Sequence, residues 1–293
     1  MIPAPGQAGV REAFLANRAE IASRYKEQFA GNWQGCAIGA ASAAALIGLY
    51  VFSLVQFEFS PATMMRGAGR LFDIVGMMFP PTAGTFDRFL FYLNALGQTL
   101  SIAFLGTLLA AIFALPMAFI AAKNVVANSI LHILSRRVLD TVRSVDTLIW
   151  ALIWINVVGL GPFAGALAIA CADFGSFGKL MSEAIETVDR KAVEGVLSTG
   201  GTRLQAIRFG IIPQVLPVFA SQVLYFFESN TRSATIIGIV GAGGIGLHLS
   251  EQISVLEWQQ VSFLILMVLV TVAVIDQISQ RLRAAIMGRR SEA

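Results

Sequence analysis

The sequence predicts an all-α fold, a polytopic membrane helix bundle of about six transmembrane helices, and three observations lead there. Of 293 residues, 56% are hydrophobic and only 13% are charged, where a soluble domain carries about 25% charged residues. The mean hydropathy is +0.71. Crossing about 30 Å of hydrocarbon takes about 20 apolar residues as a helix, and runs at roughly 35–57, 89–121, 138–160, 162–180, 211–232 and 258–282 meet or approach that length. These runs are continuously apolar and lack the period-2 alternation of a membrane barrel wall.

In chain order, residues 1–34 read as a polar N-terminal segment, its first ten residues a Pro- and Gly-containing flexible tail. Arg11, Arg18, Arg24 and Lys26 precede the first apolar run, and no small-residue cleavage site follows a short core, so that run is read as a retained span. Residues 58–88 form the next loop, whose FDIVGMMFPP stretch is apolar enough for a partial interfacial helix. A single transmembrane domain is expected over 35–282, with a tail at 283–293.

Lys and Arg set the orientation. Beside the four N-terminal residues, Lys123, Arg136, Arg137, Lys179, Arg190, Lys191, Arg203, Arg208, Arg281, Arg283, Arg289 and Arg290 fall on one side of the six-span arrangement. The other side holds Arg66, Arg70, Arg88 and Arg232, with Arg143 inside a span. The positive-inside rule therefore places both termini and the loop 183–208 in the cytoplasm.

That loop is charged and Gly-punctuated. Ile185, Val188, Val193, Val196 and Leu197 recur at helical spacing, which predicts an amphipathic helix. Gly200 and Gly201 break it, Thr202 is placed to cap a second helix, and Pro213 opens the following span. A helix-Gly-helix hook transmits a displacement better than a floppy loop; the alternative is an ordinary interfacial hairpin.

Residues 241–246, GAGGIG, match GxGxxG in form. A dinucleotide site needs a soluble βαβ unit and an acidic residue about 20 positions on, where this chain has the apolar LILMV of its last span. Gly241, Gly243, Gly244 and Gly246 instead predict a re-entrant or gate segment over 233–250, where backbone turns at membrane depth and approaches a neighbour closely. Arg143 with Asp146, and Glu228 with Arg232, are spaced as helical neighbours, open to two readings: structural ion pairs that lock helix packing, or contacts to a passing anion. Asp173 suits a packing hydrogen bond or a gate better than anion contact.

Other classes find little support. Cys36 and Cys171 are far apart, His132 and His248 have no triad neighbours, and no GxxxxGK[ST] occurs, so no catalytic, metal or ATP-hydrolysing site is expected in this chain. The net charge of +3 is accounted for by topology signals, and nucleic acid is not an expected partner.

Within VEGVLSTGGTRLQAIRFGIIPQVLP, the positions Glu194, Gly200 and Pro213 resemble the EAA loop of binding-protein-dependent ABC-importer permeases. Gly195 and Val196 stand where that pattern has two Ala, Gly210 where it has Ile, and Ile212 where it has Leu. The runs RSVDTLIWALI, VGLGPFAG, GKLMSEAIE, PQVLP and TRSATIIGIVGAGGIG resemble the phosphonate-importer permeases over roughly the second half of the chain, and Phe227-Glu228-Ser229-Asn230 resembles an aromatic-Glu-x-Asn segment of that family.

The resemblance implies an ABC-importer permease fold in the bacterial inner membrane, moving phosphonate-type oxyanions. It assigns Glu194, Gly200, Gly201 and Pro213 to ATPase coupling; Arg143, Asp146, Glu228, Arg232 and the four glycines, from the spacing and backbone arguments above, and Asn230, from the aromatic-Glu-x-Asn segment, are the candidates for the pathway or gate. It implies no cofactor in this chain, ATP and Mg held by an ABC ATPase subunit in two copies, and a periplasmic substrate-binding protein, while six spans without an internal duplication imply a second, facing copy of the permease. Cargo alternatives are phosphite, phosphate esters or a small amino acid; a passive channel or a membrane enzyme would not need the hook.

Overall fold

The computed structural model describes residues 33–57, 59–126 and 128–288. The expectations for residues 1–32 and for the last five residues of the tail lie outside them. The described residues form helices joined by short connections, with no strand among them. By contacts the chain divides into two compact units, residues 1–71 and 72–293.

The first unit contains α1 (Trp33–Gln56), apolar over most of its circumference, and most of α2 (Pro61–Met77), which continues into the second unit. The loop between the first two runs thus holds a whole 17-residue helix rather than a partial one.

The second unit is the bundle: α3 (Phe86–Ala121), α4 (Ser129–Arg143), α5 (Thr147–Val158), α6 (Pro162–Glu186), α7 (Arg190–Ser198), α8 (Arg203–Ala206), α9 (Ile212–Ile237), α10 (Ile245–Ser254) and α11 (Trp258–Gly288). Five described helical stretches are long and apolar enough to cross a membrane, six if α4 and α5 together make one span. α3 and α6 pack most extensively, and small residues that let backbones approach are buried on both: Ala103, Ala110 and Ala114 on α3, Ala164, Ala168 and Ala172 on α6. A Cβ on Gly106 would come within 2.7 Å of Ile169, so this crossing needs glycine there.

Several expectations change. The run 138–160 is not one straight span: α4 begins earlier, at Ser129, and meets α5 at 85°. Ser144 closes α4 through its N–H to the Thr141 carbonyl, and the Asp146 carboxylate accepts from the Leu148 N–H at 2.8 Å to start α5, so two caps lie inside the apolar run. The run 162–180 continues as helix to Glu186. The run 211–232 belongs to a longer bent stretch from Arg203 to Ala242, which passes through π-helical turns at Ile207–Ile211 and Gly238–Ala242. The α11 helix also runs to Gly288, taking in the first part of the expected tail.

Candidate functional site

The hook forms by local rules. Where one amphipathic helix was expected from Ile185 to Leu197, α6 ends at Glu186 and α7 starts afresh, because the Asp189 carboxylate accepts from the Lys191 N–H at 3.0 Å. α7 closes in a Schellman turn. The Gly201 N–H reaches the Val196 carbonyl at 3.1 Å, the Gly200 N–H reaches Leu197 at 3.0 Å, and Gly200 sits at φ +84°. A side chain on Gly201 would press into the Val196 carbonyl at 2.6 Å.

Thr202 then caps α8 as expected, in a full capping box with Gln205. Pro213 lies in the first turn of α9, directly after the π turn, where its missing N–H leaves one backbone bond of the continuous stretch unmade as π-helix gives way to α-helix. Gly210, a departure from the EAA pattern, has a steric reason here: a Cβ at that position would lie 3.0 Å from the Val193 Cα, so a larger residue would push α7 off the π turn. Glu194 is exposed and has no hydrogen-bonding or charged partner among the described residues.

Sequence reasoning missed what holds the hook in place. The Gln214 side chain donates to the Asp189 carbonyl at 3.2 Å and the Gly210 carbonyl at 2.8 Å, and accepts from the Asp189 N–H at 3.2 Å. Glu186 ties the hook's root to α4 and to the α3–α4 connection, receiving the Arg136 guanidinium of the first at 2.9 Å and the Lys123 N–H of the second at 2.7 Å. Gln214 and Glu186 both lie inside motif runs quoted above, but Asp189 is 25 positions from the first and Arg136 is 50 from the second.

The charges within the spans find partners other than those their spacing suggested. Arg143 ends α4 and contacts Asp140 at 3.4 Å, not Asp146, which is occupied capping α5. Glu228 and Arg232 turn to α11 instead of to each other: Glu228 to Arg283 at 2.6 Å, Arg232 to Asp276 at 3.4 Å. The Glu228 and Arg232 contacts join α9 to α11, whereas the Arg143 contact stays within α4. Asn230, 5% exposed, donates to the Thr107 hydroxyl at 2.8 Å and to the Asp173 carboxylate, joining α9 to α3 and α6 by a buried polar cluster.

The Gly-rich segment is packed within its own chain. Gly241, Gly243 and Gly244 have φ of +103°, +79° and +73°. The Gly241 carbonyl accepts from the Gly161 N–H at 3.1 Å, tying the segment to the start of α6, and the Thr99 hydroxyl of α3 accepts from the Ile245 N–H at 2.8 Å. A Cβ on Gly246 would collide with the Thr235 carbonyl. The segment is therefore a break between α9 and α10 whose close neighbours are α3, α5, α6 and the end of α9.

Comparison with known proteins agrees with this architecture. The family described as binding-protein-dependent transport system inner membrane component matches residues 114–288. The putative phosphite transport system permease protein HtxC of Stutzerimonas stutzeri is 37% identical over 97% of this chain and 95% of its own length. The phosphite transport system permease protein PtxC of the same organism is 34% identical over 75% of this chain and 79% of its own. The phosphate-import permease protein PhnE of Mycolicibacterium smegmatis is 31% identical over 83% of this chain but 45% of its own length. Among solved structures, a chain of the inward-facing MetNI methionine ABC transporter superposes with a TM-score of 0.61 at 17% identity, covering 69% of this chain and 99% of that one, which shows a shared fold. The chain thus belongs to the binding-protein-dependent transport system inner membrane component family, as a multi-pass permease subunit of an ABC importer.

Proposed function

We propose that this permease carries small phosphorus oxyanions of the phosphite and phosphonate class, delivered by a periplasmic binding protein and driven by a partner ATPase that holds ATP and Mg. The observation that carries the cargo reading is the near full-length similarity to a putative phosphite permease, 37% over 97% of the chain. The family supplies the general need for an ATPase and a binding protein. Two permease copies, two ATPase copies and cytoplasmic termini are part of the same proposal, the last on the distribution of Lys and Arg.

Coupling runs through the hook. Glu194 is exposed and unpaired among the described residues, Gly200 and Gly201 hold the α7–α8 turn, and Pro213 lies in the first turn of the helix that receives the displacement. The hook is braced at its root by Glu186 and across its mouth by Gln214, so force on α7 passes into α6 and α9 as one body.

The test is uptake by proteoliposomes holding permease, ATPase and binding protein. ATP-dependent uptake of phosphite or methylphosphonate, with none of D-methionine, is expected. Uptake of D-methionine alone would replace the cargo reading.

A further inference from the structure

The span charges Arg143, Glu228 and Arg232 each lie against a charge of opposite sign, and an anion crossing the bundle also needs neutral groups that can donate hydrogen bonds. α3 has a polar face that the packing leaves uncovered. Asn94, Gly97, Gln98 and Ser101 lie on the outward side of a 36-residue apolar helix, whereas Ala95, Thr99, Ile102 and Ala103 on the other side are buried. Asn94, Gln98, Ser101 and Leu105 follow helical spacing and so form one stripe. With Pro162, Phe163 and Ala166 of α6 they line a cavity of about 550 Å³.

Two amides side by side on hydrocarbon would leave N–H and C=O groups unsolvated, so a face like this within a span abuts water or protein. Its hydrogen-bonding capacity is largely unspent. Gln98 donates one weak bond to the Asn94 side-chain oxygen at 3.4 Å, and the Asn94 amide nitrogen has no partner among the described residues. The Ser101 hydroxyl donates to the Gly97 carbonyl at 2.9 Å and keeps its lone pairs for water. α6 begins at the same cavity from Gly161, which provides no side-chain cap.

We infer that this neutral stripe is the stretch of the pathway where the cargo oxyanion travels, hydrogen-bonded through the Asn94 and Gln98 amides and carried water. The inference rests on the oxyanion reading above. Neutral donors favour passage, because they replace part of a hydration shell without the deep well that an unpaired Arg would make, and a transported ion must be bound weakly enough to leave. The polar part of the stripe, from Asn94 to Ser101, spans about 10 Å of helix, after which Leu105, Leu108 and Ile112 make the exposed face apolar.

The experiment uses the complete importer in proteoliposomes, with phosphite and methylphosphonate as probes. Asn94→Leu and Gln98→Leu are expected to lower uptake at least tenfold while complex recovery is unchanged, and Gln98→Asn to retain more than Gln98→Leu. In a Cys36→Ala, Cys171→Ala background, Gln98→Cys is expected to react with a sulfonate thiol reagent and to be protected by phosphite during turnover, with Leu269→Cys unreactive. Wild-type uptake by Gln98→Leu overturns the inference, as does a Gln98→Cys that resists the reagent and cross-links to its own copy, which would make the stripe a contact between permeases. If the wild type carries neither anion, the cargo reading is what fails, and the reactivity of Gln98→Cys still decides whether the stripe is wet.

Discussion

The Glu228 carboxylate of α9 receives the Arg283 guanidinium of α11 at 2.6 Å, with the same guanidinium 5.9 Å from the centre of the Tyr225 ring. The Arg283 and Glu228 side chains are 22% and 12% exposed. Removing one partner of a fully buried pair costs about 3–5 kcal/mol, and partial exposure reduces that. Glu228→Ala and Arg283→Ala should each lower the thermal midpoint of the detergent-solubilised permease, while the double variant loses less than the two losses added. Additive losses would mean that the contact carries no coupling.

Arg232 and Asp276 make a looser version of the same contact, at 3.4 Å and with 48% and 32% of their side chains exposed. Exposed pairs contribute about 0–1 kcal/mol. Arg232→Ala and Asp276→Ala should therefore change stability little and affect uptake alike, because each removes the same pair. A large uptake defect in Arg232→Ala with normal transport by Asp276→Ala would point to direct contact between the guanidinium and the cargo.

Among the described residues, Asn230 donates a hydrogen bond to the Asp173 carboxylate and another to the Thr107 hydroxyl. Asn230→Ala leaves a half-buried carboxyl without that donor, where the penalty for a buried group, about 1–3 kcal/mol, is an upper figure. Asp173→Asn keeps an acceptor oxygen within reach of the Asn230 amide and should be milder. Purified yield and thermal unfolding should rank the wild type first, Asp173→Asn next and Asn230→Ala last; equal behaviour of the two variants would remove the cluster's structural role.

What was legible in the sequence follows interaction range. The cap at Thr202 and the stop at Gly200 and Gly201 depend on residues within a few positions of each other, and the structure has both, whereas the helix expected to open at Pro213 already runs from Arg203 through a π turn. The ion pairs depend on residues 44 and 55 positions apart, and an i,i+4 spacing looks the same whether two charges meet or turn to another helix. The break at Ser144–Asp146 was hidden for a related reason: apolar content marks depth in the membrane and is blind to direction, while Asp146, read as half of an ion pair, is the cap that makes the bend. The small-residue face of α3 and the polar stripe beside it share one helix, and only packing shows which of them is covered.

The hook yields the sharpest contrast. Gly200 has φ +84° and open space around it, so any L side chain there meets backbone strain of about 1–2 kcal/mol rather than a clash. Gly195 also has no heavy atom within 4 Å of a built Cβ, but it lies inside α7, where glycine is about 1 kcal/mol worse than alanine. Gly200→Val should thus distort the α7–α8 turn and weaken copurification of the ATPase with a normally inserted permease. Gly195→Ala, which restores an alanine of the EAA pattern, should firm α7 and preserve coupling. Glu194→Arg should weaken the partner with no change in permease stability, since that carboxylate has no bond to lose among the described residues. The measurement is ATPase recovered per permease, with ATP hydrolysed per anion moved. A Gly200→Val importer that holds its ATPase and couples as tightly as the Gly195→Ala importer would show that the geometry of the hook is not what carries the force.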